Sequence, residues 1–336
     1  MCGYKWREEH MSGNTKLTMA MKRYALFFIL LGLILLFAIL SSDFFSFNNL
    51  MNILKQNAYL IIASIGVALV MISGGTDLSV GYQISVVAVC TGAFMQWLNL
   101  PIWFSIILGL LVGTLLGSLN GLLSNKLKIH SMIVTLATMT AFQGVSYTIS
   151  GSKAIYNLDP AFKFIGQGYI GGIPFPAILV IIIAIIVSFI LRETYFGRYI
   201  YAVGGNAEAA RLAGINVERI KLAVFGICGF LCGCASIVMV GRAGSANSSM
   251  GPGTEFNAIT ACVLGGVSFI GGEGNVLGVI VGVLILGVLS NGMQLLHLGV
   301  YVQYIVKGVI LIAAIGFDTY QKQSKVKKMK NAEQNV

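Results

Sequence analysis

The feature that most constrains this chain is a series of apolar segments, each close to the length that crosses a lipid bilayer. A helix needs about 20 mostly apolar residues to cross the hydrocarbon core. We predict ten such spans, at residues 24–40, 57–73, 82–98, 101–123, 131–149, 174–191, 222–241, 258–270, 276–296 and 299–317. The eighth is short and interrupted by glycines, so we expect a broken or re-entrant segment there.

The composition agrees with a chain that is buried in lipid. Hydrophobic residues make up 57% of it and charged residues only 10%, whereas about 25% of a soluble domain is charged. The 41 glycines suit helices that approach one another closely in a membrane. We therefore predict an all-α membrane protein, a polytopic bundle of about ten transmembrane helices, with broken helices and an internal duplication.

The placement of positive charge predicts the orientation in the membrane. With the N-terminus inside, 17 of the 22 Lys and Arg fall in cytoplasmic segments. The external segments hold Lys55, Lys153, Lys163 and Arg242. Lys307 lies in the last span, and we expect it to snorkel toward the cytoplasmic end. By the positive-inside rule, both termini are cytoplasmic, so the net charge of +10 indicates topology rather than a nucleic-acid partner.

This topology divides the chain into three parts. Residues 1–23 form a cytoplasmic tail that leads into a retained first helix, with no small-residue cleavage site that would indicate a removed signal peptide. Residues 24–317 form the membrane domain, and residues 318–336 form a basic cytoplasmic tail. The membrane domain carries one long polar cytoplasmic loop, residues 192–221.

The polar loop has the pattern of a short helix between two spans. Asn206 is a good N-cap, residues 208–213 read as helix, and Gly214 is a typical stop signal. Because such a helix lies on the cytoplasmic face between two spans, a soluble partner that binds it can move it.

Two glycine-rich breaks resemble each other and indicate an internal parallel repeat. Residues 74–81 and 271–278 both read Gly-Gly, a nearby acid, apolar residues and then Gly. Thr76 or Asp77 can act as the N-cap of the third span, and the alternative is a hinge or an ion site. The candidate hinge residues are Gly74, Gly75, Asp77, Ser79, Gly81, Gly271, Gly272, Glu273 and Gly274.

Nothing in the sequence predicts an enzyme or a cofactor. The three histidines are scattered, no Walker-type phosphate loop is present, and the cysteines near residue 232 fit helix packing better than a metal site. Glu255 reads as a solvated loop acid. A polar cargo can meet Asn120, Thr138, Gln143, Asn291 and Gln294, although such residues also serve as hydrogen bonds between helices.

Five ordered motifs resemble the permeases of ATP-binding-cassette (ABC) importers. Glu208-Ala209-Ala210, three residues and Gly214 match their EAA-x-x-x-G cytoplasmic loop. The segments at 74–81, 131–140, 196–222, 258–278 and 289–296 are similar to the sugar branch, the ribose/xylose/autoinducer-2 type. Ile220-Lys221-Leu222 lacks the proline that follows the motif in other branches.

The resemblance implies a permease in a bacterial inner membrane that translocates a monosaccharide or similar small polar solute. A second permease copy or a homologous permease, two ABC ATPase subunits that bind the ATP, and an extracytoplasmic sugar-binding protein would complete the importer. The residues implied to couple to the ATPase are Gly205, Asn206, Glu208, Ala209, Ala210, Arg211 and Gly214. The alternative is an ion-coupled secondary carrier, for which Asp77 is the candidate carboxylate.

Overall fold

The computed structural model describes residues 13–334, so residues 1–12 of the predicted N-terminal tail and residues 335–336 lie outside the description. The helices are α1 Gly13–Leu40, α2 Phe47–Ile72, α3 Val80–Gln96, α4 Ile102–Leu127, α5 Ser131–Ser150, α6 Pro160–Gln167, α7 Phe175–Glu193, α8 Tyr195–Gly205, α9 Ala207–Leu212, α10 Val217–Ala243, α11 Thr254–Leu264, α12 Val276–Leu295 and α13 Val300–Gln334. Two short strands, β1 Tyr169–Ile170 and β2 Ile173–Pro174, lie between α6 and α7.

The helices agree with a polytopic membrane protein, but they do not confirm the number of spans. Among the described residues, α2, α4, α5, α7, α10 and α12 are long and apolar enough to cross a membrane. Shorter apolar stretches lie at 26–40, 80–96 and 300–316, where three more spans are predicted. The count of ten therefore stays a prediction.

The predicted eighth span is a broken segment. Its helix, α11, has 11 residues and is therefore about 16 Å long at 1.5 Å per residue, too short for the hydrocarbon core. The chain before and after α11 nevertheless reaches both ends of the bundle. Ala246 pairs with Ile155 near one end, and Gly271 packs against Gly74 near the other.

The loops separate into two groups, one at each end of the bundle. At the end that carries α9, which we call the α9 end, Asn125 donates a hydrogen bond to the Glu218 carbonyl (2.7 Å). At the opposite end, which we call the distal end, Lys55 donates to the Gln167 carbonyl (3.1 Å), and Gln167 donates to the Arg242 carbonyl (2.9 Å). The segments that the charge pattern puts inside thus meet at one end, and those that it puts outside meet at the other.

The core forms around α2, α3, α10, α11 and α12, in each of which more than half of the residues are buried. Helix α10 packs closely on α4 because glycines face each other there. A Cβ added to Gly117 would lie 2.9 Å from the Gly229 Cα, and the reverse distance is the same. Helix α7, by contrast, exposes Ile185 and Phe189, as a surface that faces lipid requires.

A small β-hairpin interrupts the predicted all-α fold at the distal end. Strands β1 and β2 pair antiparallel, with Ile170 opposite Ile173. Gly171 and Gly172 connect them with φ angles of +58° and +82°, the backbone that a two-residue hairpin turn needs and that glycine adopts without strain. The alternation of hydrophobicity over two-residue strands is too short to be read from the sequence.

Candidate functional site

Helix α9 is built by local signals at both of its ends. Asn206 has an extended backbone, and its side-chain oxygen accepts a hydrogen bond from the Ala209 N–H (3.0 Å), which confirms the predicted N-cap. Gly214 has a φ of +84°, and the Ile215 N–H closes the turn on the Ala210 carbonyl (3.0 Å). The predicted stop is therefore also confirmed.

One face of α9 is held by the bundle and the other is open. Ala210 is buried against Val203 and Val217, which anchors the helix between α8 and α10. Glu208 and Ala209 are exposed on the opposite face. Leu212 at the end of the helix is 90% exposed, and sequence reasoning did not single it out.

Arg211 fixes the charged surface of α9. Its guanidinium pairs with Glu208 (2.6 Å) and with Glu218 at the start of α10 (2.7 Å). The two carboxylates raise the pKa of Arg211, with the hydrogen bond to Glu218 as the larger cause. Because these groups are about half exposed or more, the pairs add little stability, but they set the register of the charges.

Two depressions flank α9 and could receive a partner's side chains. One has a volume of about 320 Å³ and is lined by Tyr199, Ile215 and Arg219, among others. The other has a volume of about 670 Å³ and is lined in part by Lys128 and Lys221. The surface around α9 therefore combines an exposed leucine, Leu212, with two depressions.

The predicted glycine breaks meet at the C-terminal end of α8, just before α9. A Cβ added to Gly271 would lie 2.8 Å from the Gly74 Cα, and one added to Gly272 would lie 2.9 Å from the Gly205 Cα. The Gly272 N–H donates a hydrogen bond to the Ile72 carbonyl (2.9 Å). The end of α2, the loop before α12 and the end of α8 therefore form one contact, which we call the glycine junction.

The sequence analysis did not identify two residues of this junction, Gly204 and Tyr201. A Cβ on Gly204 would collide with the Ile72 carbonyl oxygen and would lie 2.7 Å from the Gly272 nitrogen. The Tyr201 hydroxyl, one turn earlier in α8, donates a hydrogen bond to the Gly274 carbonyl (2.8 Å). The sequence signal was a Gly-Gly pair directly before the N-cap of α9.

Asp77 lies two residues before Ser79, and its carboxylate accepts the backbone N–H of Ser79 at the start of α3 (2.8 Å), as the helix-cap interpretation of the first break expects. Ser79 is the N-cap residue of α3, and Thr76 donates its N–H to the Ser131 hydroxyl (2.9 Å). Asp77 is fully buried and accepts hydrogen bonds from the Ser79 hydroxyl (2.6 Å) and from the Gln83 amide (2.9 Å). The carboxylate thus ties the break to α3.

Glu255 is also buried, so the prediction of a solvated loop acid is wrong. It lies in the first turn of α11 and is 1% exposed. One carboxylate oxygen accepts the Gly253 N–H (3.0 Å), and a Cβ on Gly81 would collide with the other. Burial follows from the way the segment before α11 folds inward beside α3, which polar turn residues do not reveal.

The five predicted pathway residues do not come together. Asn120 is buried and donates to the Ser79 hydroxyl (2.8 Å), and Thr138 is 8% exposed. Gln143 is exposed on α5. Asn291 and Gln294 line a polar cavity at the distal end. Asn120 and Thr138 therefore act within the helix packing, and Asn291 also links two helices, because its amide exchanges two hydrogen bonds with that of Asn49 (2.9 Å each). Gln143 and Gln294 are exposed.

Comparison with known proteins shows the family. Residues 49–315 match the family described as "Branched-chain amino acid transport system / permease component". This range is most of the chain and contains every helix from α3 to α12. No solved structure matches the chain.

Several relatives of known name align over most of their length. The ribose import permease protein of Haemophilus influenzae is 38% identical over 299 residues, 88% of this chain and 92% of the relative. The ribose import permease protein of Bacillus subtilis is 38% identical over 301 residues, 89% of this chain and 93% of the relative. The L-arabinose transport system permease protein of Escherichia coli is 41% identical over 260 residues, 77% of this chain and 79% of the relative.

Proposed function

We infer, from the premise that this chain belongs to the branched-chain amino acid transport system / permease component family, that it is the membrane-spanning permease of an ABC importer. It is a transporter subunit and not an enzyme. We propose a monosaccharide as its solute, because relatives that align over most of the chain are named for ribose, arabinose and xylose. A branched-chain amino acid, which the family description names, is the second candidate.

The observation that carries the coupling mechanism is the exposed face of α9. Leu212, at the tip of the helix, is 90% exposed, and the small Ala209 and Gly214 beside it allow close approach of another surface. An exposed leucine beside paired charges suits a protein interface, whose core is apolar and whose rim is polar. We propose that α9 docks on a separate ATPase subunit, which binds the ATP, while this chain needs no cofactor of its own.

The glycine junction gives a route from α9 into the membrane domain. Helix α8 leads directly into α9, and its end contacts both predicted hinges through Gly204 and Gly205. A shift of α9 would therefore bear on the end of α2 and on the loop before α12 at the same time. We propose that these breaks are the hinges that open and close the passage.

A second permease copy, or a homologous permease, would pack on α5. Beside bulky apolar side chains such as Ile133 and Leu136, this helix exposes several small or polar residues: Ala137, Thr140, Ala141, Gly144 and Thr148. Small residues allow close helix contact in a membrane. The predicted pathway residue Gln143 is exposed on the same helix and would then lie at this contact.

The two ends of the bundle would face opposite sides of the inner membrane. The positive-inside rule favours a cytoplasmic α9 end with both termini on that side. The distal end, with its hairpin and glycine-rich loops, would then receive the extracytoplasmic binding protein. Membrane lipid would cover the apolar faces of α7 and the other outer helices.

The test is a pull-down with the tagged full-length chain in mild detergent. We expect a roughly equimolar protein with a Walker motif to come down with it. Glu208→Arg should reduce that recovery, because it puts a third positive charge beside Arg211 and Arg219. Recovery of the permease alone from wild-type membranes would argue for the ion-coupled carrier instead.

A further inference from the structure

The distal end contains a polar cavity of about 190 Å³ within a single protomer. It lies between α2, α10, α11, α12 and α13, and its lining includes the amides of Gln56, Asn57, Asn257, Asn291 and Gln294. Two cationic side chains, Arg242 and Lys307, also line it. The helix bundle around the cavity is apolar, so the presence of these polar and cationic side chains has to be explained.

Lys307 makes the cavity unusual. It belongs to the apolar stretch 300–316 of α13, and it is half-buried. We expected it to snorkel toward the cytoplasmic end, but it shares the cavity with Arg242 and Gln294 of the distal end. Within the described part of the chain, the two ion pairs are those of Arg211 with Glu208 and Glu218, so Lys307 is not in an ion pair there. No acidic residue lines the cavity. A charged group inside an apolar segment is costly and commonly marks a solute pathway.

The polar groups around Lys307 are held in place by hydrogen bonds to the protein. Arg242 donates to the Gln56 carbonyl (3.3 Å) and lies over the Tyr59 ring. Asn57 donates to the Ile53 carbonyl (2.7 Å). These bonds use only part of each side chain's capacity, because an amide offers two donors and an acceptor and a guanidinium offers five donors. Asn291 already exchanges two hydrogen bonds with Asn49 (2.9 Å each), so the groups that remain to bind a solute are mainly those of Gln56, Gln294, Arg242 and Lys307.

We propose that this cavity is a binding site for a small, uncharged polyol of monosaccharide size, held during import. The proposal rests on the proposed function and adds a site to it. Hydroxyl groups both donate and accept hydrogen bonds, as the mixed amides and cations of the lining require. The cavity volume of about 190 Å³ is what about six water molecules occupy in the liquid, which suits one small sugar. Two cations without an acid should disfavour a positively charged solute.

The experiment measures binding of D-ribose, L-arabinose and D-xylose to the purified full-length permease by equilibrium dialysis. We expect at least one of them to bind, and a protonated amino sugar to bind more weakly. Lys307→Met should weaken binding by about tenfold, the scale of one charge-assisted hydrogen bond. Lys307→Arg should keep most of the affinity, because it keeps the charge and the donors.

The control variant is Lys153→Met, which removes an exposed lysine elsewhere in the predicted external segments and should bind as wild type. If Lys307→Met does not fold, Gln294→Ala decides, since Gln294 is exposed and its truncation should weaken binding without unfolding the chain. Wild-type binding by both Lys307→Met and Gln294→Ala would overturn the proposal.

The outcome is separable from that of the proposed function. If the complete importer takes up one of these sugars with ATP but the permease binds none of them, the cavity is a solvated vestibule and the importer assignment stands. If a sugar binds in the cavity but uptake needs no ATPase, the site stands and the importer assignment fails.

Discussion

At the scale of single residues, Leu212 carries the most specific expectation. Its side chain is almost fully exposed at the tip of α9. It would be buried only if another surface packed against it. Burying a leucine is worth about 1.5–3 kcal/mol. We expect Leu212→Asp to weaken binding of the purified ATPase at least tenfold, as measured by titration calorimetry in detergent.

The matched control for this change is Leu298→Asp. Leu298 is also exposed but follows α12 at the distal end, far from α9. It should leave ATPase binding unchanged. Equal loss of binding in both variants would mean that a general effect of the charge, rather than docking at α9, explains the result.

Asp77 separates the importer from the ion-coupled carrier. Asparagine has one acceptor oxygen where the carboxylate has two, so in Asp77→Asn either Ser79 or Gln83 loses its hydrogen bond to residue 77. We expect stability to fall by about 1–3 kcal/mol, visible as a lower Tm. The variant that still folds should transport with ATP as before, because the carboxylate binds no coupling ion.

The comparison for this variant is Asp43→Asn, which changes an exposed carboxylate and should leave the Tm unchanged. Uptake that depends on a sodium or proton gradient in wild type, and is lost specifically in Asp77→Asn, would contradict this account.

The residues that sequence reasoning placed well are those with local signals. Asn206 and Gly214 were predicted because a helix cap depends on a few neighbouring residues. The burial of Asp77 and Glu255 and the exposure of Leu212 depend instead on which segments pack nearby. Those contacts come from residues far apart in the chain, so no local pattern indicates them.

At the scale of elements, the glycine junction predicts an effect on coupling. A Cβ on Gly204 meets backbone atoms of Ile72 and Gly272, which cannot rotate away. We expect Gly204→Ala to lower stability by about 1–3 kcal/mol and to separate α8 from the two breaks. ATPase docking should persist, while solute moved per ATP hydrolysed should fall in proteoliposomes.

Two variants test whether the position matters rather than the loss of glycine. Gly205→Ala has no atom within 4 Å of its added Cβ, and neither does Gly32→Ala in α1. Both should unfold at the wild-type Tm. A Gly204→Ala protein with wild-type stability and wild-type transport per ATP would contradict the junction as a coupling route.

The sequence predicted both breaks but not that they meet. Gly-Gly pairs mark interruptions in an apolar pattern because they favour turns. Contact between residues 74 and 271 depends on the packing of α2, α8 and α12. It places the two resembling segments at the same end of the bundle, as a parallel repeat requires.

At the scale of the whole molecule, hydropathy and charge predicted the architecture better than its details. Apolar length located the long helices because the bilayer thickness sets that length. The charge pattern assigned the loops to two sides of the membrane, and the structure places the same two sets of loops at opposite ends of the bundle. The same reasoning cannot resolve α11, where turn residues and a short helix together replace a continuous span, nor the start of α3 after the buried break.

The measurement that tests the central claim most directly is solute uptake by proteoliposomes that contain the permease, its co-purified ATPase and the binding protein. The account predicts accumulation of a pentose that requires internal ATP, ignores imposed ion gradients and exceeds that of branched-chain amino acids. Accumulation driven by an ion gradient without the ATPase would contradict it.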